Sequence, residues 1–525
     1  MVPRPVSPGP AEPLLPRFYA GRSILITGAT GFMGKVLVER ILATCPEVGN
    51  LHLLMRDKRE QTPQKRLAHL KQSQVFDKVR ARNHRQLDKL FVVSGDVSKP
   101  HLGLDADAIM QLREVSIVFH SAATLKFDEP MTVALGQNVR SVERLLEICD
   151  KLPKMEAFIH VSTAYSNAEL TFVEERVYPP PVPLSQVFTV ADTVPEELLR
   201  KITTQYISPK PNTYCFTKAL AENVVQEHGN KGYPVAIFRP TIVVSSLQHP
   251  FPGWIENLNG PSGVVVGAGK GLLHVFCCKE SASADMLPVD IAIDTLLAVA
   301  WETAVDRPEQ VRVYNCSTCE NPTTWGDFKN ALRKNLRGHP LDNTFWYPSG
   351  ICVENKIAQK TLETLLQTAP LHIAEYIAKL FGIKTRLSLI KVSQRLIAMN
   401  EVLRFFSVRE WHFATDNVRK LHARLSPQDA AIYNLDPQTI TWSEHYENFV
   451  IGTRKYLLQE KDQDINEAKK HMRKMYYVHQ GVIFFALTLT CRLALRNEYL
   501  KSFFYRTFKM LLTIFGSVYT RIRQS

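Results

Sequence analysis

A glycine-rich turn set between an apolar run and a helical stretch constrains this chain most. Ser23-Ile-Leu-Ile-Thr27 is a short apolar run that ends at a glycine. Thr27-Gly-Ala-Thr-Gly-Phe-Met-Gly34 follows, and residues 33–45 then show helical periodicity. A buried parallel strand that turns through glycines into a helix is the opening of a dinucleotide-binding unit. Glycines at 28, 31 and 34 let backbone N–H groups approach a pyrophosphate at the helix N-terminus. The spacing is G-x-x-G-x-x-G rather than the commoner G-x-G-x-x-G, so the turn alone is only moderately specific.

The pattern continues downstream. Apolar runs at 51–56, 90–94, 116–120, 157–161 and 235–238 alternate with helical stretches, 140–150 among them. This alternation predicts an α/β fold with a Rossmann-like, doubly wound parallel sheet. From about 245 to 350 it becomes irregular, with loops such as Pro252-Gly-Trp254 and Asn259-Gly-Pro-Ser-Gly263, where a substrate lobe belongs. Residues 355–430 read as mostly helical. A chain of 525 residues is too long for one ordinary core. The expected division is a Pro-rich flexible extension (1–20), a reductase domain with its substrate lobe (21–350), a helical C-terminal domain (351–465) and a basic apolar tail (466–525). The first twenty residues hold six prolines and no apolar core segment, unlike a signal peptide.

Charge is concentrated at one end. The chain carries a formal +13, and from Lys469 to Ser525 eleven Lys and Arg face a single acid, Glu498. Long apolar runs interleave these charges, which points to a lipid surface rather than nucleic acid. Residues 475–491 carry no charge over 17 positions and residues 510–520 none over 11. A spanning helix needs about 20 apolar residues, so a single transmembrane helix, a hairpin or in-plane anchor, and a buried helical pair all stay open. Nine cysteines without paired zinc spacing, Cys316-Ser-Thr-Cys319 included, read as reduced thiols and not as a metal site. The expected setting is membrane-associated, with the catalytic domain facing the cytosol. The endoplasmic reticulum is favoured over peroxisome or lipid droplet, because Arg521-Ile-Arg-Gln-Ser525 is no clear peroxisomal signal. No residue pattern sets an oligomeric state.

The candidate chemistry lies in a few short segments. Tyr214 and Lys218 are four residues apart, on one helix face. A phenol beside a fixed ammonium loses its proton more easily and serves a reacting carbonyl. Ser162 and Thr163 close the fifth run, where a hydroxyl meets a substrate carbonyl; Thr163 is the first choice. Asn138 is expected to cap a helix, to relay protons to the lysine, or both. Thr27, Gly28, Thr30, Gly31, Phe32 and Gly34 form the phosphate cradle. After the second run, Arg56 and Lys58 neutralise a 2′-phosphate and favour NADPH, while Asp57 keeps NADH open. Asp96 and Val97 are expected at the adenine, and the small Ala122 and Ala123 at the nicotinamide ribose. Tyr-x-x-x-Lys alone is common by chance; the ordered set is far more specific.

That set, together with Arg239-Pro240-Thr241, resembles the extended short-chain dehydrogenase/reductases, and more narrowly the eukaryotic fatty acyl-CoA reductases. Thr27-Gly-Ala-Thr-Gly-Phe-Met-Gly-Lys-Val36, His160-Val-Ser-Thr-Ala-Tyr165, Tyr214-Cys-Phe-Thr-Lys-Ala-Leu-Ala-Glu222 and Pro252-Gly-Trp254 with Asn257 and Asn259-Gly-Pro261 carry the likeness. Trp411-His-Phe413, Asn417, Trp442, Tyr446 and Gly452-Thr-Arg-Lys-Tyr456 are similar to the helical domain named after the male-sterility proteins. Met33 stands where leucine is more usual, a near-isosteric change. The resemblance covers roughly residues 20–460. It implies reduction of a long-chain fatty acyl-CoA to a primary alcohol by two NADPH through a bound aldehyde. Tyr214 and Lys218 would then be both catalytic and cofactor-binding, with Arg239 and Pro240 at the cofactor. Two other readings remain: a membrane-bound reductase or epimerase of a sterol or sugar nucleotide, and a non-catalytic NADP-binding lipid-surface protein.

Overall fold

A computed structural model describes residues 13–58, 61–382 and 388–496. Seven parallel strands form the central sheet: β1 (Ser23–Thr27), β2 (Leu51–Met55), β3 (Leu90–Ser94), β4 (Val115–His120), β5 (Ala157–Val161), β6 (Val235–Pro240) and β7 (Arg312–Cys316). Their order is β7-β6-β5-β4-β1-β2-β3. Every residue of β1, β2, β4, β5 and β6 is buried, as continuous apolar runs in a parallel sheet require. The order reverses at β1, which pairs β2 on one side and β4 on the other, with Thr27 level with both Leu54 and His120. The crevice beyond the strand ends at such a reversal is where an α/β sheet binds its ligand.

Helices cover both faces, each over its own apolar layer. Those that bear on the site are α1 (Phe32–Thr44), α2 (Pro63–Gln72), α3 (Met131–Asn138), α4 (Arg140–Cys149) and α5 (Thr213–His228). They continue with α6 (Val289–Asp306), α7 (Lys356–Glu363), α8 (Ala369–Leu380), α9 (Leu389–Ser407) and α10 (Ile465–Arg496). α5 starts where the Asn212 side chain accepts the Cys215 N–H at 2.8 Å, and it stops at Gly229, whose φ is +62°. That cap places Tyr214 in the first turn and Lys218 one turn on.

Three sequence expectations need correction. The extension does not run to residue 20: Leu14–Tyr19 is a helix with Leu15, Phe18 and Tyr19 buried, and the Leu14 and Leu15 N–H groups donate to the Asp429 carboxylate. Residues 1–12 lie outside the described residues. The region read as irregular holds β7 and α6, whose Val289 to Thr303 are all buried. A seventh strand was hidden because Arg312-Val-Tyr-Asn-Cys316 is short and half polar. Lastly, residues 475–491 sit in the 32-residue helix α10, and among the described residues no helix is long and apolar enough to cross a membrane. The run 510–520 lies outside the described residues.

The C-terminal segments that carry the family likeness are clamps. A Cβ on Gly253 would stand 2.0 Å from the Asn448 carbonyl oxygen, and one on Gly452 only 1.7 Å from that of Gly253. Backbone therefore packs on backbone here, and Trp254 and Tyr456 pack beside it, tilted, with ring centroids 4.7 Å apart. Asn417 donates to the Val313 carbonyl at 2.8 Å, and the Trp442 indole donates to that of Asn321 at 3.0 Å. The helical domain is thereby fixed against the substrate lobe and β7.

Candidate active site

The strand ends open into a cavity of about 450 Å³. Thr27, Gly28, Thr30, Gly31, Phe32 and Gly34 line one end, with Arg56, Lys58, Asp96, Val97, Ala122 and Ala123. Ser162, Thr163, Tyr214, Lys218 and Pro240 line the other. One cavity therefore joins residues spread over more than two hundred positions.

The cradle has no room for side chains. Gly28 has φ +77°, and a Cβ there would lie 2.8 Å from the Ala122 nitrogen. A Cβ on Gly34 would lie 2.2 Å from the Gly28 carbonyl oxygen. Gly31 caps α1 without a side-chain acceptor, so the first N–H groups of the helix point at the cavity. Thr27 Oγ1 accepts the Ala122 N–H at 3.1 Å and shares a hydrogen bond with His120 Nδ1 at 2.8 Å, tying β1 to the loop after β4. This shape and its free N–H groups fit a dinucleotide pyrophosphate.

The outer end is basic. Arg56 lies 3.6 Å from Asp96, and Lys58 lines the same wall. Burial works against the Asp96 charge, but the Ser98 N–H and hydroxyl, with Arg56, hold its carboxyl below the usual range. Arg66 was missed. It projects from α2 and donates to Thr30 Oγ1 at 2.8 Å and to the Arg56 carbonyl at 2.5 Å. Nothing in the sequence separates it from any other helix-surface arginine.

At the inner end, burial pushes the Tyr214 phenol well above the ordinary range; neighbouring Cys215 adds to this and a hydrogen bond with Thr163 opposes it. Lys218 follows one turn on in the same helix and lines the same cavity. Its ammonium donates to the Val161 carbonyl at 2.8 Å, and burial lowers it to about 8 against the pull of Glu222. Ser162 donates to Glu222 at 2.5 Å, which leaves Thr163 as the hydroxyl on the phenol. Behind them, burial and the nearby Lys218 charge keep His120 and His160 neutral.

Two candidates lie off the cavity wall. Asn138 ends α3 and caps nothing; α4 has no side-chain cap. Its Oδ1 accepts the Thr124 N–H at 2.9 Å and its Nδ2 donates to Thr217 at 2.9 Å, stapling the loop after β4 to α5. Arg239 is fully buried and donates to Glu222 through Nε at 2.9 Å and Nη2 at 2.6 Å. It also donates to the carbonyls of Glu174 and Arg176, so it braces β6 from behind the cavity wall.

An aromatic wall closes the substrate side. Phe127 packs 5.5 Å from Tyr214 and 5.7 Å from Phe406, which comes from the end of α9. Tyr165 meets Phe406, Trp411 and Phe413 edge to face. Phe127 is the ring against Tyr214, and the helical domain backs it through Phe406. Only Trp411 and Phe413 belonged to a recognisable segment; no local signal brings Phe406 to Phe127, 279 positions away.

A doubly wound parallel sheet, a glycine cradle at its reversal point and a Tyr-Lys pair in the same cavity define an NAD(P)-dependent oxidoreductase. Known proteins narrow the class. The chain matches the family description "Male sterility protein" over residues 26–296 and again over 366–460. It is 37% identical to fatty acyl-CoA reductase 1 of Xenopus laevis over 471 residues, 89% of this chain and 90% of that protein. It is also 37% identical to fatty acyl-CoA reductase 2 of Bos taurus over 468 residues, with the same coverage. This chain belongs to the fatty acyl-CoA reductase family. Solved structures share its fold. The reductase domain of a nonribosomal peptide synthetase from Mycobacterium tuberculosis superposes with a TM-score of 0.54 at 19% identity, over 85% of this chain and 93% of that one. The terminal R domain of the myxalamid pathway gives 0.54 at 17% identity, over 83% and 91%.

Proposed function

We propose that this protein reduces a long-chain fatty acyl-CoA to the primary alcohol, using NADPH twice and holding the aldehyde between the two steps. The observation that carries this reading is that Tyr214 and Thr163 line the dinucleotide cavity while Phe127, backed by Phe406, packs against the Tyr214 ring. The bound dinucleotide supplies hydride. Tyr214, held protonated by burial, donates its O–H to the carbonyl oxygen as negative charge develops there. Thr163 holds the phenol oxygen in place. In the first reduction the hemithioacetal collapses to the aldehyde, its hydroxyl proton returns to the phenol, and CoA leaves as the thiol with a proton from solvent. In the second the phenol protonates the alkoxide to the alcohol and is itself reprotonated from solvent. The aromatic wall takes the apolar chain next to the carbonyl and keeps water from it.

Arg56, Lys58 and Arg66 at the outer end support NADPH over NADH, three cations where a 2′-phosphate would sit. We keep the division 21–350, 351–465 and 466–525, which the two matched segments support, with the division's first domain starting earlier at the Leu14 helix. We also place the catalytic domain at a cytosol-facing lipid surface, the endoplasmic reticulum first. The basic apolar tail supports this, as do Phe484 and Phe485 of α10, 70% and 67% exposed. The test is to incubate protein-bearing membranes with NADPH and labelled palmitoyl-CoA and look for labelled hexadecanol. As much alcohol from Tyr214→Phe as from wild type would sink the mechanism.

A further inference from the structure

The stretch from α7 to α8 is built inside out. Positions 359, 363, 367, 371 and 375 share one helical face, and four of the five are polar: Gln359, Glu363, Gln367 and Glu375. That polar face is the buried one, with none of the four more than 5% exposed. Each carboxylate there is bonded. Glu363 accepts from Asn400 of α9 at 2.9 Å, and Glu375 accepts the Ser388 hydroxyl at 2.9 Å and the Ile390 N–H at 2.8 Å. Gln367 accepts the His274 N–H at 3.1 Å. The opposite stripe is apolar and faces outward: Leu366, Ile373, Tyr376, Ile377, Leu380 and Phe381 are 47 to 82% exposed. Helices in water bury the apolar stripe and expose the polar one. A contiguous exposed apolar surface of this kind marks a binding face.

Charge selects the occupant. Between residues 356 and 382 the exposed charged side chains are Lys356, Lys360 and Lys379; both acids of the segment are buried, and Lys379 reaches back to Glu375 at 3.0 Å while staying exposed. A second copy meeting this face across a two-fold axis would set lysines against lysines. A surface with an apolar interior and a negative rim satisfies both features. We propose that the outward face of α7 and α8 lies on a bilayer bearing anionic headgroups, with the apolar stripe at the acyl-chain boundary and the lysines at the phosphates. The contact is separate from the C-terminal tail and does not require it. It has a use in the reaction, because Glu363 and Glu375 fasten this face to α9, whose last turn carries Phe406 against Phe127, the ring that packs on Tyr214. A lipid substrate would pass from the bilayer along α9 to the carbonyl site.

The test uses the full chain with vesicles of phosphatidylcholine and about a third phosphatidylserine. Tyr376→Trp places a fluorophore on the face, and Leu198→Trp places one at an exposed site elsewhere. On adding vesicles, the Tyr376→Trp emission shifts to the blue and brominated acyl chains quench it about twofold or more, while the Leu198→Trp emission stays unchanged. The triple variant Ile373→Glu, Ile377→Glu, Leu380→Glu lowers vesicle partition about tenfold or more with NADPH binding intact. If the protein floats with vesicles and the Tyr376→Trp probe is not quenched, the tail alone holds the membrane and the proposal fails. If the triple variant changes the oligomeric state and not the quenching, the face joins two copies, and the proposal fails as well.

Discussion

Replacing Arg66 by alanine separates cofactor choice from cofactor binding. Arg66 reaches from α2 into the glycine cradle, with Thr30 Oγ1 at 2.8 Å and the Arg56 carbonyl at 2.5 Å. These contacts fix the guanidinium beside Arg56 and Lys58 without using all five of its donors. Burial and the Arg56 charge hold the Arg66 pKa below its ordinary value, so the group lacks a full counter-charge. A 2′-phosphate would supply one. A hydrogen bond to a charged group contributes about 1.5–3 kcal/mol, so losing it raises the KM for NADPH roughly 10- to 150-fold. NADH has no 2′-phosphate, and its KM should move by less than about threefold. Steady-state kinetics with each cofactor at saturating acyl-CoA measures both. Equal shifts for the two cofactors would refute the reasoning and make Arg66 a brace for the turn.

Other changes have equally definite outcomes. Glu222→Ala leaves Arg239 charged and fully buried, so chemical denaturation should show a loss of about 3–5 kcal/mol. Lys218 titrates near 8, so kcat/KM of the free enzyme should fall above about pH 8, and Lys218→Arg should move that limb upward. Burial lowers this lysine from 10.5, so between about 8 and 10.5 the unfolded chain binds the more protons; stability from this group therefore rises with pH across that window, which pH-dependent melting checks. Gly34→Ala forces a Cβ to 2.2 Å from the Gly28 carbonyl oxygen, so fluorescence titration should find NADPH binding abolished, and a variant that binds normally would contradict the cradle.

Periodicity and turn chemistry carry the first six strands, because a fully buried parallel strand leaves an unbroken apolar run and α1 follows its glycines directly. The cradle and the Tyr214–Lys218 pair were legible for the same reason: each is local. Residues whose role depends on a distant partner were not. The bonds of Arg239 are not legible in the sequence: Glu222, 17 positions earlier, takes one edge of its guanidinium and the Glu174 and Arg176 carbonyls take the rest. Asn138 looks like a cap until Thr217, 79 positions on, takes its amide. Spacing puts Tyr214 and Lys218 on one helix face, but it does not show that the Val161 carbonyl accepts from the ammonium or that burial is the largest influence on the phenol. Composition also hides orientation: residues 355–430 read only as mostly helical, and the burial of Glu363 and Glu375 with their bonds shows which face of 356–381 is inside.

The central claim is that two hydrides reach one carbon in one cavity. Membranes bearing the full chain, given palmitoyl-CoA and NADPH deuterated at its transferable position, should form hexadecanol with two deuterium atoms at C1, and Tyr214→Phe should form almost none. Alcohol with a single deuterium, or no alcohol from the wild-type protein, would contradict the account.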